Sequence, residues 1–192
     1  MSTAATPRVS RGARSVKIVI TGPFGAGKTS LISTISEIEV LSTEKAVSDA
    51  GDGKRHTTVA MDFGRLTIDD DLALYLFGTP GQKRFDFMWE ILAEGMLGFV
   101  VMVDAENSET IDAASDILTF FRDTADVPYV VAVNKSDEDP DGAVDHARIA
   151  LGLDPSVRAV ACNALERDSV KNVLLELLYA VLDDVEELEP AV

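Results

Sequence analysis

Sulfur and imidazole are scarce in this chain. Its 192 residues include one cysteine, Cys162, and two histidines, His56 and His146. A single thiol excludes an intramolecular disulfide and a cysteine-built metal site, and two imidazoles are too few for a histidine-built metal centre. Long apolar runs are lacking as well, so no stretch reads as a membrane span, and no signal-peptide pattern is visible. Residue 2 is Ser rather than Gly, and the last four residues, Glu-Pro-Ala-Val, hold no prenylation cysteine. A stable membrane anchor is therefore not expected. Positive charge is outnumbered: 17 Lys and Arg against 33 Asp and Glu give a formal net charge of −16. Such a chain repels nucleic acid and anionic lipid, and favours basic partners or a bound divalent cation. There is no internal repeat. A soluble, cytoplasmic protein with one full core is the expectation.

Residues 1–14 carry Ser, Thr, Ala, Pro and the cations Arg8, Arg11 and Arg14 without periodicity, which reads as a disordered basic tail. The folded unit is expected over 15–187, with a short tail over 188–192. Apolar patterning predicts strands near 16–21, 57–68, 72–77, 97–103, 129–133 and 159–161. Helices are expected after Lys28 and over 83–94, 108–122, 142–151 and 167–187. Residues 39–57 lose the pattern, and a loop that long between core elements is usually functional or mobile. The run Asp69, Asp70 and Asp71 reads as a solvated turn between two antiparallel strands. The alternation predicts a doubly wound α/β domain: a six-stranded, mostly parallel sheet with one antiparallel edge strand and helices on both faces. Ligands of such sheets bind at the carboxyl ends of the strands, where every motif below falls.

The most informative stretch is VKIVI followed by TGPFGAGKTS. Gly22, Gly27, Lys28 and Thr29 fit the spacing G-x-x-x-x-G-K-[ST]. Glycines let the backbone curl with its N–H groups inward, a cradle for phosphate oxygens to which the following helix adds its dipole. Gly25, Ala26 and Ser30 belong to the same cradle. Lys28 would reach the β- and γ-phosphates, and the Thr29 hydroxyl would bind Mg²⁺. A Gly-rich turn with no ligand is the alternative, disfavoured by the strand before the motif and the helix after it.

A second motif, Asn134-Lys135-Ser136-Asp137, follows a buried strand. The Asp137 carboxylate can accept two hydrogen bonds from guanine, which adenine cannot offer, so it would select GTP over ATP. Asn134 can bond the base, and the Lys135 stem can pack on its face.

With both motifs in this strand order, the chain resembles the Ras-like small GTPases of the P-loop NTPase class. The T-T-V-A-M-D-F-G and L-Y-L-F-G-T-P-G-Q stretches resemble bacterial members, the MglA-like proteins, and most of all the actinobacterial conservon GTPases. The resemblance matches Thr58 to the switch I threonine that joins Thr29 on Mg²⁺, with Thr57 as the alternative. It matches 78–82 to switch II, with Gln82 orienting the attacking water. Asn163 and Ala164 match the loop whose Ala164 N–H meets the guanine oxygen. It implies GTP and GDP as ligands, slow hydrolysis, a signalling role, a roadblock/LC7-type partner and a complex with a sensor-kinase-like protein. The alternative function is a GTP-binding interaction module with little hydrolysis.

Three departures bear on chemistry. Gly78 stands where the family's switch II usually has a Mg²⁺-linked Asp, so the ion would rely on Thr29, Thr58, phosphate and water, or on another carboxylate. Phe24 stands where the family usually has Gly, crowding the γ-phosphate or packing on switch II. Arg55, three residues before Thr58, is either an arginine finger supplied in cis or a solvated loop arginine.

Overall fold

The computed structural model describes residues 14–42, 61–81 and 85–188. The described strands are β1 (Arg14–Thr21), β2 (Leu41–Ser42), β3 (Asp62–Asp69), β4 (Leu72–Gly78), β5 (Gly98–Asp104), β6 (Tyr129–Asn134) and β7 (Arg158–Cys162). The helices are α1 (Lys28–Ile35), α2 (Phe87–Ala93), α3 (Ser108–Thr124), α4 (Pro140–Ala150) and α5 (Arg167–Leu188). They form one sheet in the order β2-β3-β4-β1-β5-β6-β7. The six expected strands are present, and the two-residue β2 extends the sheet beyond β3. Strands β4, β1, β5, β6 and β7 are mutually parallel, whereas β3 runs antiparallel to β4.

Alternation along each strand divides the core. Ile18 and Ile20 of β1 face α1 and α5, together with Leu31, Ile32, Val100, Val170 and Leu174. Val19 points the opposite way, to the layer of α2, α3 and α4. Both faces are covered, so β5 is buried along its whole length, as a central parallel strand must be. On the second face an aromatic group links Trp89 to Phe120 and Phe121, and Phe121 to Phe99, with ring centroids 5.3–6.2 Å apart. Removing one of these buried rings costs about 3–5 kcal/mol.

Local chemistry sets the helix ends. Asn107 caps α3 by accepting from the Glu109 N–H at 3.1 Å. Asp139 caps α4 by accepting from the Gly142 N–H, with Pro140 in the first turn. That cap starts α4 at residue 140, two residues earlier than the apolar spacing suggests. Helix α2 is shorter than the predicted 83–94, beginning after a single turn at Phe85 and Asp86. Lys17 Nζ donates to the Glu94 carbonyl at 2.7 Å, just beyond the end of α2. On α5, Arg158 reaches Glu176 in the middle of the helix at 2.7 Å and Asp183 nearer its end at 2.8 Å, the second contact placing a cation close to the negative end of the dipole.

The β3–β4 hairpin has one irregularity. Asp69 pairs with Leu72 but Thr67 pairs with Ala73, so Ile68 is an extra residue, a β-bulge. Beyond it the ladder brings Asp62, the first residue of β3, opposite Gly78, the last of β4. Because β3 runs the other way, its start lies at the edge of the sheet where the parallel strands end.

Candidate functional site

From Thr21 the chain turns through 22–27 into α1. Gly22, Gly25 and Gly27 adopt φ values of 139°, 83° and 105°, a region that favours glycine. A Cβ at Gly22 would run into the Met102 carbonyl oxygen on β5, and one at Gly27 into the Asn134 amide. Helix α1 begins with no side-chain cap and no acidic residue in its first turn. Its leading N–H groups and dipole therefore face the loop, an arrangement that suits an anion. Lys28 is buried beneath it, its Nζ donating to the carbonyls of Gly22 at 2.8 Å and Pro23 at 2.6 Å. Burial pushes this ammonium down to about 8, opposed by the charge of Asp62. An anion placed above it would favour the charged form.

Beside Lys28, the Thr29 hydroxyl donates to Asp62 Oδ2 at 2.5 Å. Asp62 is buried and was absent from the ligand set read off the sequence. This carboxylate stands on the strand paired with Gly78, directly opposite it. A magnesium ion takes a few hard oxygen ligands and leaves the remainder to phosphate and water. A hydroxyl and a carboxylate converging next to an anion cradle fit that demand. They line a cleft of about 260 Å³ with Phe24, Lys28, Pro80 and Phe85.

Across the cleft, Thr79 is fixed by its N–H to the Ile20 carbonyl and by its hydroxyl to that of Thr21, both at 2.9 Å. Pro80 accepts from the Trp89 indole at 3.2 Å, which ties this loop to α2 and the aromatic core. A Cβ at Gly81 would approach the Phe24 nitrogen to 2.5 Å, so the two loops touch. The Phe24 ring is 70 % exposed at the cleft mouth, rather than packed away.

The second motif stands at the end of β6. Asn134 is buried, and its amide donates to the Ala26 carbonyl and accepts from the Ala164 N–H, both at 3.0 Å. This side chain is a strut joining the phosphate loop to the 163–165 loop. The Ala164 N–H, which the sequence offers to a guanine oxygen, is engaged by that strut. Lys135 has a positive φ of 57°, uncommon for a side chain of its size and typical of functional loops. Its Nζ pairs with Asp104 at 2.5 Å, an anchor that sequence reading did not single out. Asp137 is exposed at the strand end, and Asn163 Oδ1 accepts from the Leu165 N–H at 3.1 Å. Arg55, Thr57, Thr58 and Gln82 lie outside the described residues. Among the described residues no helix is long and apolar enough to cross a membrane.

Several known proteins are similar in sequence to this chain. The Ras-related protein Rab-3D of Mus musculus is 28 % identical over 186 residues, spanning 91 % of this chain and 78 % of its own length. Rab-8A of Rattus norvegicus is 25 % identical over 167 residues, 84 % of this chain and 75 % of Rab-8A. The uncharacterized protein MJ1339 of Methanocaldococcus jannaschii is 29 % identical over 167 residues, 85 % of this chain and 95 % of that protein. The sheet, the phosphate loop and these likenesses are those of a P-loop, GTPase-like nucleotide-binding protein. A family described as conserved hypothetical ATP binding protein matches residues 39–187, beginning after the phosphate loop and taking in Asp62, Asn134 and Ala164. With most of its length inside that match, the chain belongs to this family of ATP-binding-type proteins.

Proposed function

We propose that this chain is a small GTPase: it binds GTP with Mg²⁺, hydrolyses it slowly to GDP and phosphate, and presents different surfaces in the two states. The observation that carries the reading is the Thr29–Asp62 pair beside Lys28 in a glycine cradle, with Asn134, Lys135 and Asp137 at the end of the same sheet. Thr29 and Asp62, joined by Thr58, would hold Mg²⁺, which supplies neutralising charge to the phosphate oxygens. Lys28 and the N–H groups of 22–29 bind and orient the phosphates. Gln82 positions the attacking water, and Arg55 adds charge to the transition state. Asp137 pairs with guanine, supported by Lys135 and by the loop of Asn163 and Ala164. The family description speaks of ATP; the Asn-Lys-Ser-Asp motif favours guanine, and competition between GDP and ADP for the nucleotide-free protein distinguishes them.

By its resemblance to MglA-like and conservon GTPases, the protein acts as a cytoplasmic signalling switch. A roadblock/LC7-type regulator and a sensor-kinase-like complex are its partners in this reading. The folded domain spans 15–187. The exposed Phe24 ring at the cleft mouth favours a second reading, a GTP-binding interaction module with little turnover. Single-turnover phosphate release from bound GTP in excess Mg²⁺ separates them. Slow release that Gln82→Leu abolishes supports the enzyme. No release from either protein, with GTP still bound, supports the module.

A further inference from the structure

Helix α5 faces two ways. Val170, Val173, Leu174 and Leu177 are buried against the sheet. On its outer side Leu175, Tyr179, Leu182 and Val185 are each 48–56 % exposed. Leu175 and Leu182 are seven residues apart, with Tyr179 between them and Val185 beyond, the spacing of a helix–helix seam. Exposed charges of opposite sign close the stripe: Lys171 four residues before Leu175, and Glu186 four after Leu182. We propose that this stripe is the contact of a symmetric dimer in which α5 packs antiparallel on α5 of a second copy.

The charge pattern argues for that occupant and that direction. Leu175 and Leu182 are equidistant from the midpoint of residues 178 and 179, and so are Lys171 and Glu186. A two-fold axis at that midpoint lays Leu175 against the partner's Leu182 and Lys171 against the partner's Glu186, with both contacts made twice. A parallel pairing would instead stack the acidic ends, Asp183, Asp184 and Glu186, on themselves. The stripe is also preorganised. Arg158, held by Glu176 and Asp183, lies over the Tyr179 ring with its guanidinium carbon 5.8 Å from the centroid, which lowers the entropy cost of docking. Helix α5 lies on the face opposite α2, so the dimer leaves the cleft rim at Pro80 and Phe85 uncovered. A single helix pair buries less than a standard interface of about 1,200–2,000 Å², so association is concentration-dependent.

Sedimentation equilibrium of the full chain at physiological salt, from low micromolar to near-millimolar protein, tests this. The expected result is a monomer–dimer equilibrium that Leu175→Glu shifts to monomer. Lys171→Glu and Glu186→Lys each weaken it about tenfold through two symmetry-related pairs, and combining them restores it. The two charge reversals are on the surface, so they keep the test valid if the Leu175 variant folds poorly. A wild-type chain that stays monomeric throughout would overturn the dimer and leave the stripe to a different partner. Single reversals without effect, or a double variant weaker than either single, would overturn the antiparallel register.

Discussion

The Thr29 hydroxyl of α1 donates to the Asp62 carboxylate of β3 at 2.5 Å, and Asp62 faces Gly78 across the β3–β4 ladder. If this pair holds the ion that accompanies the nucleotide, Asp62→Ala weakens Mg²⁺ binding by at least tenfold, an effect on the scale of losing a metal-site partner. A magnesium titration of the nucleotide off-rate reads it, and an unchanged titration would rule the pair out. Gly78→Asp does not compensate. Its Cβ would meet Ile32 Cδ1 at 2.9 Å and the Asp62 Cβ at 3.0 Å, so it lowers the melting temperature instead.

The three phosphate-loop glycines predict a graded alanine series. Gly22→Ala is the worst, because its Cβ meets backbone on β5 that cannot step aside, and it costs at least about 2 kcal/mol. Gly27→Ala meets side chains rather than backbone, the Asn134 amide and Met102 Cε, and falls between. Gly25 has open space around its Cβ position, leaving only the left-handed penalty of about 1 kcal/mol. Denaturant midpoints in the order Gly25, Gly27, Gly22, from mildest to most severe, check the series.

Asn134→Ala removes a buried strut and strands the Ala26 carbonyl and the Ala164 N–H that it satisfies. Leaving buried groups unmade costs about 1–3 kcal/mol. Because it joins two loops of the site, the loss should appear both as reduced stability and as faster amide exchange at Ala164. Exchange unchanged at Ala164 would show that the strut is not formed in solution.

Burial pushes the Cys162 thiol up to about 11 from 9.0, opposed by a hydrogen bond from Ser169. The folded state therefore holds that proton where the unfolded chain has released it. Its contribution is fully present below pH 9 and is lost as pH rises to 11, about 3 kcal/mol in all. Cys162→Ala should flatten the fall in stability over that window. At neutral pH the thiol should resist alkylation until the protein unfolds.

The contiguous parts of the site were legible before the fold. The glycine pattern of 22–29 and the four residues 134–137 each sit within one turn of chain, and the apolar runs around them announced the strands that display them. Relations between distant segments were not legible. Asp62 reads locally as an ordinary strand residue, and only its pairing with β4 carries it to Thr29. Asp104 reads as the polar end of an apolar strand until Lys135 folds onto it. Glu176 and Asp183 of α5 have no partner visible in their own segment, because the Arg158 that answers both comes from β7. Asn134 was identified, but its hydrogen bonds to 26 and 164 depend on three strand ends meeting at one edge.

The bulge at Ile68 acts on the hairpin as a correction of reading frame. Counted evenly from the turn, β3 has one residue too many, and an unbroken ladder would set Asp62 beside Thr79. A slip of one position reverses which face every side chain takes, so the carboxylate would then point toward the α2 layer, away from Thr29. Ejecting Ile68 from the count restores the phase. Shortening the hairpin by that one residue would leave Asp62 where it stands, whereas lengthening β3 anywhere between Phe63 and Thr67 would require a second correction to keep it there.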